Sequence, residues 1–255
     1  MEQPRTRPPR HVRGAPTNGQ SWRQLYFCAG ISAVVFIALL VLALVLDFLA
    51  PPPVDGGAET LEFIARNKGI YVTEQLLWTV SNILPVLVFV TLFVALAPVN
   101  KSLALLATVI GALPWALFLA VPVTSRGSLI LVYLSDRYAA ASGTVRFDDA
   151  ARLRFATAAE AVIAENNTPA AVGVLSALGI LLISLPMLMG VFPRAVAWLG
   201  VTTGTVGTIA EALRQAVPGF YPAYGILMWA WFLAVGIALI RLSRRTPRAT
   251  GGPVA

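Results

Sequence analysis

Long apolar stretches alternate with short polar segments along most of this chain. About 20 apolar residues at ~1.5 Å per residue are enough to cross the roughly 30 Å hydrocarbon core of a bilayer. The six stretches of suitable length cover residues 25–50, 75–98, 103–124, 169–190, 195–214 and 221–241. The pattern predicts an all-α polytopic membrane protein, in which residues 25–242 form a bundle of six transmembrane helices. Residues 1–24 and 243–255 are basic and lack apolar periodicity, so we expect two disordered tails.

The polar segment between the first two spans carries a helical pattern. Leu61, Ile64, Ala65 and Lys68 recur at helical spacing, and Gly69 supplies a stop signal. This spacing predicts a short amphipathic helix on the outer surface, packed over the bundle.

The segment 125–168 is too long for a bare loop and also carries a helical pattern. Its apolar stripe consists of Phe147, Ala151, Phe155, Ala158 and Val162, while Asp148, Arg152 and Glu160 lie off the stripe. We therefore expect a second helix that rests on the outer face of the bundle.

Three prolines shape the second and third spans. Pro98 lies in the turn "APVNKS" and is expected to end the second span. Pro85 and Pro114 lie roughly 14 to 17 Å inside their spans at ~1.5 Å per residue, close to the membrane midplane. Because proline clashes with the carbonyl four residues earlier, it should loosen the carbonyls of Ser81 and Ile110. These two spans are therefore predicted to be broken helices that form an antiparallel hairpin.

The fifth span combines small residues with one acid. Gly200, Gly204, Gly207 and Glu211 share one helical face, which predicts close approach of another helix. This face is therefore a candidate surface for a second copy or for another membrane protein. Counted from Ala195, Glu211 lies about 24 Å along the helix, near the outer surface of the bilayer.

Arg214 follows Glu211 by three residues and can pair with it on the same face. The position of Glu211 favours an interfacial anchor or a helix-packing ion pair. The alternative is a carboxylate that handles a proton or a substrate, since acids within spans are functional candidates.

The distribution of charge predicts orientation. If the N-terminus is cytoplasmic, the inside segments hold eleven bases and one acid, whereas the outside segments hold eight bases and eleven acids. This bias satisfies the positive-inside rule, so both termini are expected in the cytoplasm and the chain in the cell membrane. Tyr221 and Tyr224 are predicted interfacial anchors at the outer edge of the last span. The net charge of +7 is explained by topology and does not indicate a nucleic-acid partner.

The sequence contains few residues suited to catalysis. His11 is the only histidine and lies outside the spans, and Cys28 is the only cysteine. Haem ligation, zinc chemistry and a serine nucleophile with a histidine base are therefore excluded within the spans, and Ser176 is expected to be a packing residue. We predict no catalytic residue, no cofactor and no metal.

Two functional hypotheses remain. The first is a non-enzymatic accessory or regulatory membrane component. The second is a small transporter or channel with a polar site between spans two, three and five. The candidate residues of that site are Ser81, Asn82, Pro85, Pro114, Thr205, Thr208, Glu211 and Arg214.

Three stretches resemble a known family. They are "LAPVNKSLALLATVIG" at 96–111, the segment from "NNTPAAVGVLSALG" to "GVTTGTVGTIAEAL" at 166–213, and "WFLAVGIALIRL" at 231–242. They resemble bacterial multi-span membrane proteins grouped by a domain of unknown function, DUF4386. The resemblance implies the six-span architecture and a cytoplasmic-membrane location, and it carries no reaction, ligand or catalytic residue.

Overall fold

The described part of the chain is almost entirely helical, so the prediction of an all-α protein is confirmed. The computed structural model describes residues 18–53, 56–120, 123–124, 127–141, 148–167, 171–214, 216–217 and 220–245. The helices are α1 Asn18–Leu49, α2 Gly57–Val80, α3 Ile83–Ala120, α4 Leu129–Ala140, α5 Asp148–Asn167, α6 Ala171–Met187, α7 Arg194–Ala212 and α8 Phe220–Arg245. Two short antiparallel strands, β1 Val123–Thr124 and β2 Gly127–Ser128, connect α3 to α4.

Several helices are apolar enough to lie in a membrane. Within the described residues, three helical stretches meet both the length and the hydropathy of a span: Trp22–Leu49, Gly57–Ala120 and Phe220–Arg244. Ala171–Met187 is apolar but shorter. Large hydrophobic side chains also face outward from these helices, including Phe27, Leu105 and Val109. Outward-facing apolar surface of this extent is typical of membrane proteins.

Five helices form a closed bundle in which each packs on the next. The order around the bundle is α1, α3, α6, α7, α8 and back to α1. An aromatic cluster fills the centre, where Phe232 contacts Phe36 and Trp115 edge to face at centroid distances of 5.0 and 5.6 Å. Such pairs add to the stabilisation that burial of the rings provides.

Helix α3 contains the predicted hairpin between spans two and three. Asn100 leaves the helical region at φ −154° and ψ 97°, and its side chain accepts a hydrogen bond from the Leu103 N–H at 3.0 Å. Thr108 of the second arm donates to the Phe89 carbonyl of the first arm at 3.4 Å, as expected for antiparallel neighbours. Pro98 does not end the helix; it lies inside α3, and Asn100 makes the turn instead.

Pro85 interrupts the helix that the sequence places over 75–98. Helix α2 ends at Val80 and α3 begins at Ile83, so Pro85 lies in the first turn of a new helix, where its missing N–H costs nothing. The Ser81 carbonyl, which Pro85 cannot bond, accepts from the Leu84 N–H at 3.0 Å. Pro114 differs from the prediction, because α3 continues through it to Ala120 without a further break in its helical dihedral angles.

Three helices pack together as a cap at one end of the bundle: α2, α4 and α5. The cap has a core of its own, which includes Leu61, Ile64, Tyr71, Leu131, Tyr138 and Ala159. The helix expected around residues 61–68 is present, but it bends at Asn67 and continues beyond Gly69 to Val80. Tertiary packing therefore overrides the glycine stop. Of the predicted face, Leu61 and Ile64 are buried, whereas Ala65 and Lys68 are exposed.

Helix α5 confirms the helix predicted in the long polar segment, with a rotated face. Ala156 and Ala159 are buried, and Phe155 and Val162 pack beside them, while Ala158 is exposed. The face is shifted because α5 packs against α2 and α4 of the cap, and α4 was absent from the prediction. Phe147 lies outside the described residues.

Most of the predicted tails falls in residues 1–17 and 246–255, outside the described residues. Residues 18–24 and 243–245, which the sequence assigned to those tails, belong to α1 and α8.

The glycine face of α7 packs inside the chain. A Cβ at Gly204 would collide with the Leu181 backbone of α6, and a Cβ at Gly200 would meet Ser184 and Trp231. The predicted close approach is therefore made by α6 and α8 of the same chain. Association with a second copy or with another membrane protein stays a prediction.

Candidate functional site

A partly open cavity of about 420 Å³ lies in the bundle, near the end that carries the cap. It is bounded by residues from α1, α3, α6, α7 and α8, together with Trp78 of α2. Its lining is mostly apolar, and the aromatic side chains in it are Phe36, Trp78, Trp115, Phe118, Tyr221, Tyr224 and Trp229. A concave apolar site with a few polar groups is the usual form of a small-molecule site.

Glu211 lies in the last turn of α7 and lines this cavity. The helix ends at Ala212, because Leu213 adopts φ −102° and ψ 18°. Glu211 is only 4% exposed, since it continues the glycine face that packs on α6. The absence of a side chain at Gly173 leaves room for the carboxylate: a Cβ there would lie 2.6 Å from Glu211 Cδ.

Arg214 lies beside this acid. Its Nη1 lies 3.8 Å from Glu211 Oε2, so the predicted ion pair is present, although the two atoms are too far apart for a hydrogen bond. The guanidinium also lies over the Tyr221 ring, 4.1 Å from its centroid. Within the described part of the chain, Oε2 of Glu211 is buried and has no hydrogen-bond donor. The carboxylate is therefore charge-compensated but incompletely hydrogen-bonded.

Tyr224 and Ser176 form a second polar group in the cavity wall. Their hydroxyl oxygens are 3.4 Å apart, and the Ser176 hydroxyl donates to the Gly173 carbonyl at 2.7 Å. This contact agrees with the expected packing role of Ser176. Tyr224 is 4% exposed, so it is not the interfacial anchor that the sequence suggested.

The structure brings together three of the eight predicted site residues. Asn82, Glu211 and Arg214 all line the cavity, because the break between α2 and α3 places Asn82 opposite the end of α7. The other five do not line it: Ser81, Pro85, Pro114, Thr205 and Thr208.

Two of these five bond to the backbone of their own segment, which removes them from the site. The Ser81 hydroxyl donates to the Trp78 carbonyl at 3.2 Å, and the Thr208 hydroxyl donates to the Gly204 carbonyl at 2.8 Å. Thr205 faces outward.

Glu74 and Trp78 are neighbours of the site that the sequence analysis missed. Glu74 is 1% exposed and accepts a hydrogen bond from Trp78 Nε1 at 3.1 Å, which fixes the indole in the cavity wall. The sequence did contain a signal for them, because Glu74 lies one helical turn before Trp78 at the start of an apolar stretch. Within the described residues, no three His, Cys, Asp or Glu side chains come together to hold a metal ion.

A match with a family model covers nearly all of the helices described above. No curated protein and no solved structure matches the chain. One family model, described as a domain of unknown function (DUF4386), matches residues 31–242, a range that contains every residue of the cavity wall. That range is most of the 255 residues, and the chain therefore belongs to the DUF4386 family.

Proposed function

We propose that this protein is a six-span component of the cell membrane, with an accessory or regulatory role, that binds a small amphipathic molecule in the cavity. The observation that carries the proposal is the cavity itself. It combines an extensive aromatic lining with one buried carboxylate, Glu211, at its polar end. This division into an apolar and a polar part suits a ligand that is divided in the same way.

The lengths of the helices support six crossings. The two arms of α3, residues 83–99 and 101–120, together with α6 and α7, are about 26 to 30 Å long at ~1.5 Å per residue, close to the thickness of the hydrocarbon core. Six crossings return the chain to the side on which it started. In agreement, Arg23 Nε near the start of α1 donates to the Ser243 carbonyl near the end of α8 at 3.1 Å.

The charge distribution supports cytoplasmic termini. The end of the bundle that holds Arg23, Lys101, Arg194 and Arg244 is rich in bases, and the positive-inside rule assigns such an end to the cytoplasm. The cap and the cavity would then lie at the outer end.

Transport is the second candidate function. It is favoured because Asn82, at the break between α2 and α3, lines the same cavity as Glu211 and Arg214 at the end of α7. Broken helices commonly contribute to transporter sites. Unchanged solute uptake into vesicles that contain Asn82→Leu or Glu211→Gln protein would remove this candidate and leave binding without transport.

Binding in the cavity can be tested by filling it. Gly225 lines the cavity, and a Cβ at this position would meet no atom within 4 Å, so Gly225→Leu should fold and occupy the cavity. Gly69→Leu is the matched control, because its Cβ also meets no atom within 4 Å and Gly69 lies in the cap.

The readout is tryptophan fluorescence of the full chain in nanodiscs titrated with octanol, with empty nanodiscs as the blank. Three of the six tryptophans, Trp78, Trp115 and Trp229, line the cavity. We expect a saturable signal from the unmodified protein and from Gly69→Leu, and its loss in Gly225→Leu. The proposal would be refuted if Gly225→Leu bound octanol with the affinity of the unmodified protein. It would also be refuted if the unmodified protein gave no saturable signal.

A further inference from the structure

We propose that the ligand of the cavity carries an ammonium group on an apolar chain, and that Glu211 receives the ammonium. This inference rests on the proposed function and names the class of molecule that the same cavity takes. Three features of the cavity support it: the incomplete bonding of the carboxylate, the type of side chain around it, and the state of Arg214.

Glu211 lacks what an ammonium supplies. Its carboxylate lies over Gly173 in the cavity wall, and its Oε2 is buried without a hydrogen-bond donor in the described part of the chain. A buried carboxylate without donors is costly, and each charge-assisted hydrogen bond that it gains is stronger than a neutral one. An ammonium head offers up to three N–H donors together with a compensating charge.

Aromatic rings in the same cavity as the carboxylate favour a cation. Tyr221, Tyr224 and Trp229 of α8 line the cavity together with Glu211. The faces of aromatic rings attract cations within about 6 Å of the centroid. The position of Arg214, with its guanidinium 4.1 Å from the Tyr221 centroid, shows that a ring at this end already holds a positive charge.

The same geometry disfavours an anionic head. Arg214 is engaged with both Tyr221 and Glu211, and Oε2 lies only 3.8 Å from its Nη1. A negative group that approached Arg214 from the cavity would therefore also approach the carboxylate, and like charges at such separations repel. An ammonium at Glu211 is likewise repelled by Arg214, but it gains the donor-free Oε2 as an acceptor, which an anion does not. The apolar chain of the ligand would lie against Phe36, Leu40 and Leu44 of α1.

The test compares octylammonium with octanol and octanoate, which have the same chain and different heads. Each probe is titrated into the full-length protein in phosphatidylcholine nanodiscs, where no lipid carries an N–H donor. We expect octylammonium to bind at least about tenfold more tightly than octanol, and Glu211→Gln to remove that advantage while octanol binding persists. Persistent octanol binding also shows that the variant is folded.

Arg214→Gln is an independent variant that should change the affinity for octylammonium in the opposite direction. Without the competing guanidinium, Glu211 should bind octylammonium more tightly than in the unmodified protein. Equal affinities for the three probes, tighter binding of octanoate, or octylammonium binding that is unchanged in Glu211→Gln would overturn the inference. In those cases the proposed function would still stand if octanol binds to the unmodified protein and Gly225→Leu abolishes that binding.

The natural source of the ammonium can be separated in the same experiment. If the ligand is a lipid with a primary amine head, phosphatidylethanolamine in the nanodisc should compete and weaken octylammonium binding. If the ligand is a free amine, octylammonium affinity should be the same in both lipids. Both outcomes apply once octylammonium has been shown to bind more tightly than octanol.

Discussion

The cap and the bundle of this protein are both helical, but they are held together by different interactions. In the cap, charged and hydroxyl groups of different helices pair: Lys68 Nζ lies 2.7 Å from Asp136 Oδ1, and the Ser135 hydroxyl donates to the Leu61 carbonyl at 2.7 Å. In the bundle, helices approach at small residues, as where Gly179 of α6 contacts Gly111 of α3. Hydroxyl groups there mostly bond carbonyls of their own helix, as Ser184 does with Ile180 at 2.7 Å.

This difference is the one expected of a cap in water and a bundle in lipid. Water drives apolar side chains of the cap together and also solvates its exposed ion pairs. Lipid provides no such drive between helices, so close packing of small residues takes its place. The cavity lies where the two regions meet, and it combines aromatic surface from the bundle with a buried carboxylate whose Oε2 has no hydrogen-bond donor among the described residues.

The largest expected effect is a side chain added to the glycine face of the bundle. In Gly204→Leu the new Cβ would collide with the Leu181 backbone, which cannot move without separating α6 from α7. We expect a loss of at least about 3 kcal/mol in the free energy of unfolding, at the upper end of overpacking costs. Size-exclusion chromatography in detergent should show little monodisperse protein.

Gly69→Leu is the control for that substitution, since it adds the same side chain to an open position in the cap. Its yield should match that of the unmodified protein. Equal behaviour of the two variants would contradict the close packing of α6 and α7.

An intermediate effect is expected from the buried tyrosine of the cap. The Tyr71 hydroxyl accepts from the Ser128 N–H at 3.1 Å and donates to the Ser128 carbonyl at 3.3 Å. Tyr71→Phe removes both bonds in a buried setting, which should cost about 1–3 kcal/mol. Hydrogen exchange should accelerate in residues 127–132 and remain unchanged in α6 and α7.

Tyr133→Phe is the matched control, because Tyr133 is 58% exposed and its hydroxyl accepts from the exposed Arg137 at 3.2 Å. It should change exchange little. Faster exchange throughout the bundle of Tyr71→Phe would show that the cap and the bundle unfold as one unit.

The smallest effect is expected at the surface of the cap. Lys68→Gln breaks an ion pair whose side chains are 49% and 57% exposed, so water and salt already weaken it. We expect a loss of about 0.5 kcal/mol or less, which should vanish in 1 M salt. Thermal unfolding at low and high salt measures this. A larger loss that is independent of salt would mean that Lys68 stabilises the cap in another way.

The sequence predicts the helices of the bundle well because their signal is local. Helix α7 spans 194–212 where 195–214 was expected, and α6 spans 171–187 where 169–190 was expected. Apolar length predicts these bounds to within three residues. Whether each helix crosses the membrane stays a prediction, since helix length supports it without locating the bilayer.

The sequence predicts the cap and the site less completely because both depend on contacts between distant segments. Helix α4 was missed, and the stop at Gly69 was overridden when α2 packed on α4 and α5. Glu211 was recognised from its position in an apolar stretch, and its ion pair with Arg214 from their spacing. Its burial and the cavity that it shares with Asn82 could not be predicted from the sequence, because both depend on how six helices are arranged around a common space.

The most direct test of the cavity as a binding site is protection of a thiol placed in its wall. In a Cys28→Ser background, Gly225→Cys and Gly69→Cys each provide one accessible thiol, in the cavity and in the cap respectively. Both should react with a small water-soluble methanethiosulfonate, and saturating octylammonium should slow the reaction at position 225 alone. No reaction at 225, or the same rate with and without octylammonium, would contradict the account.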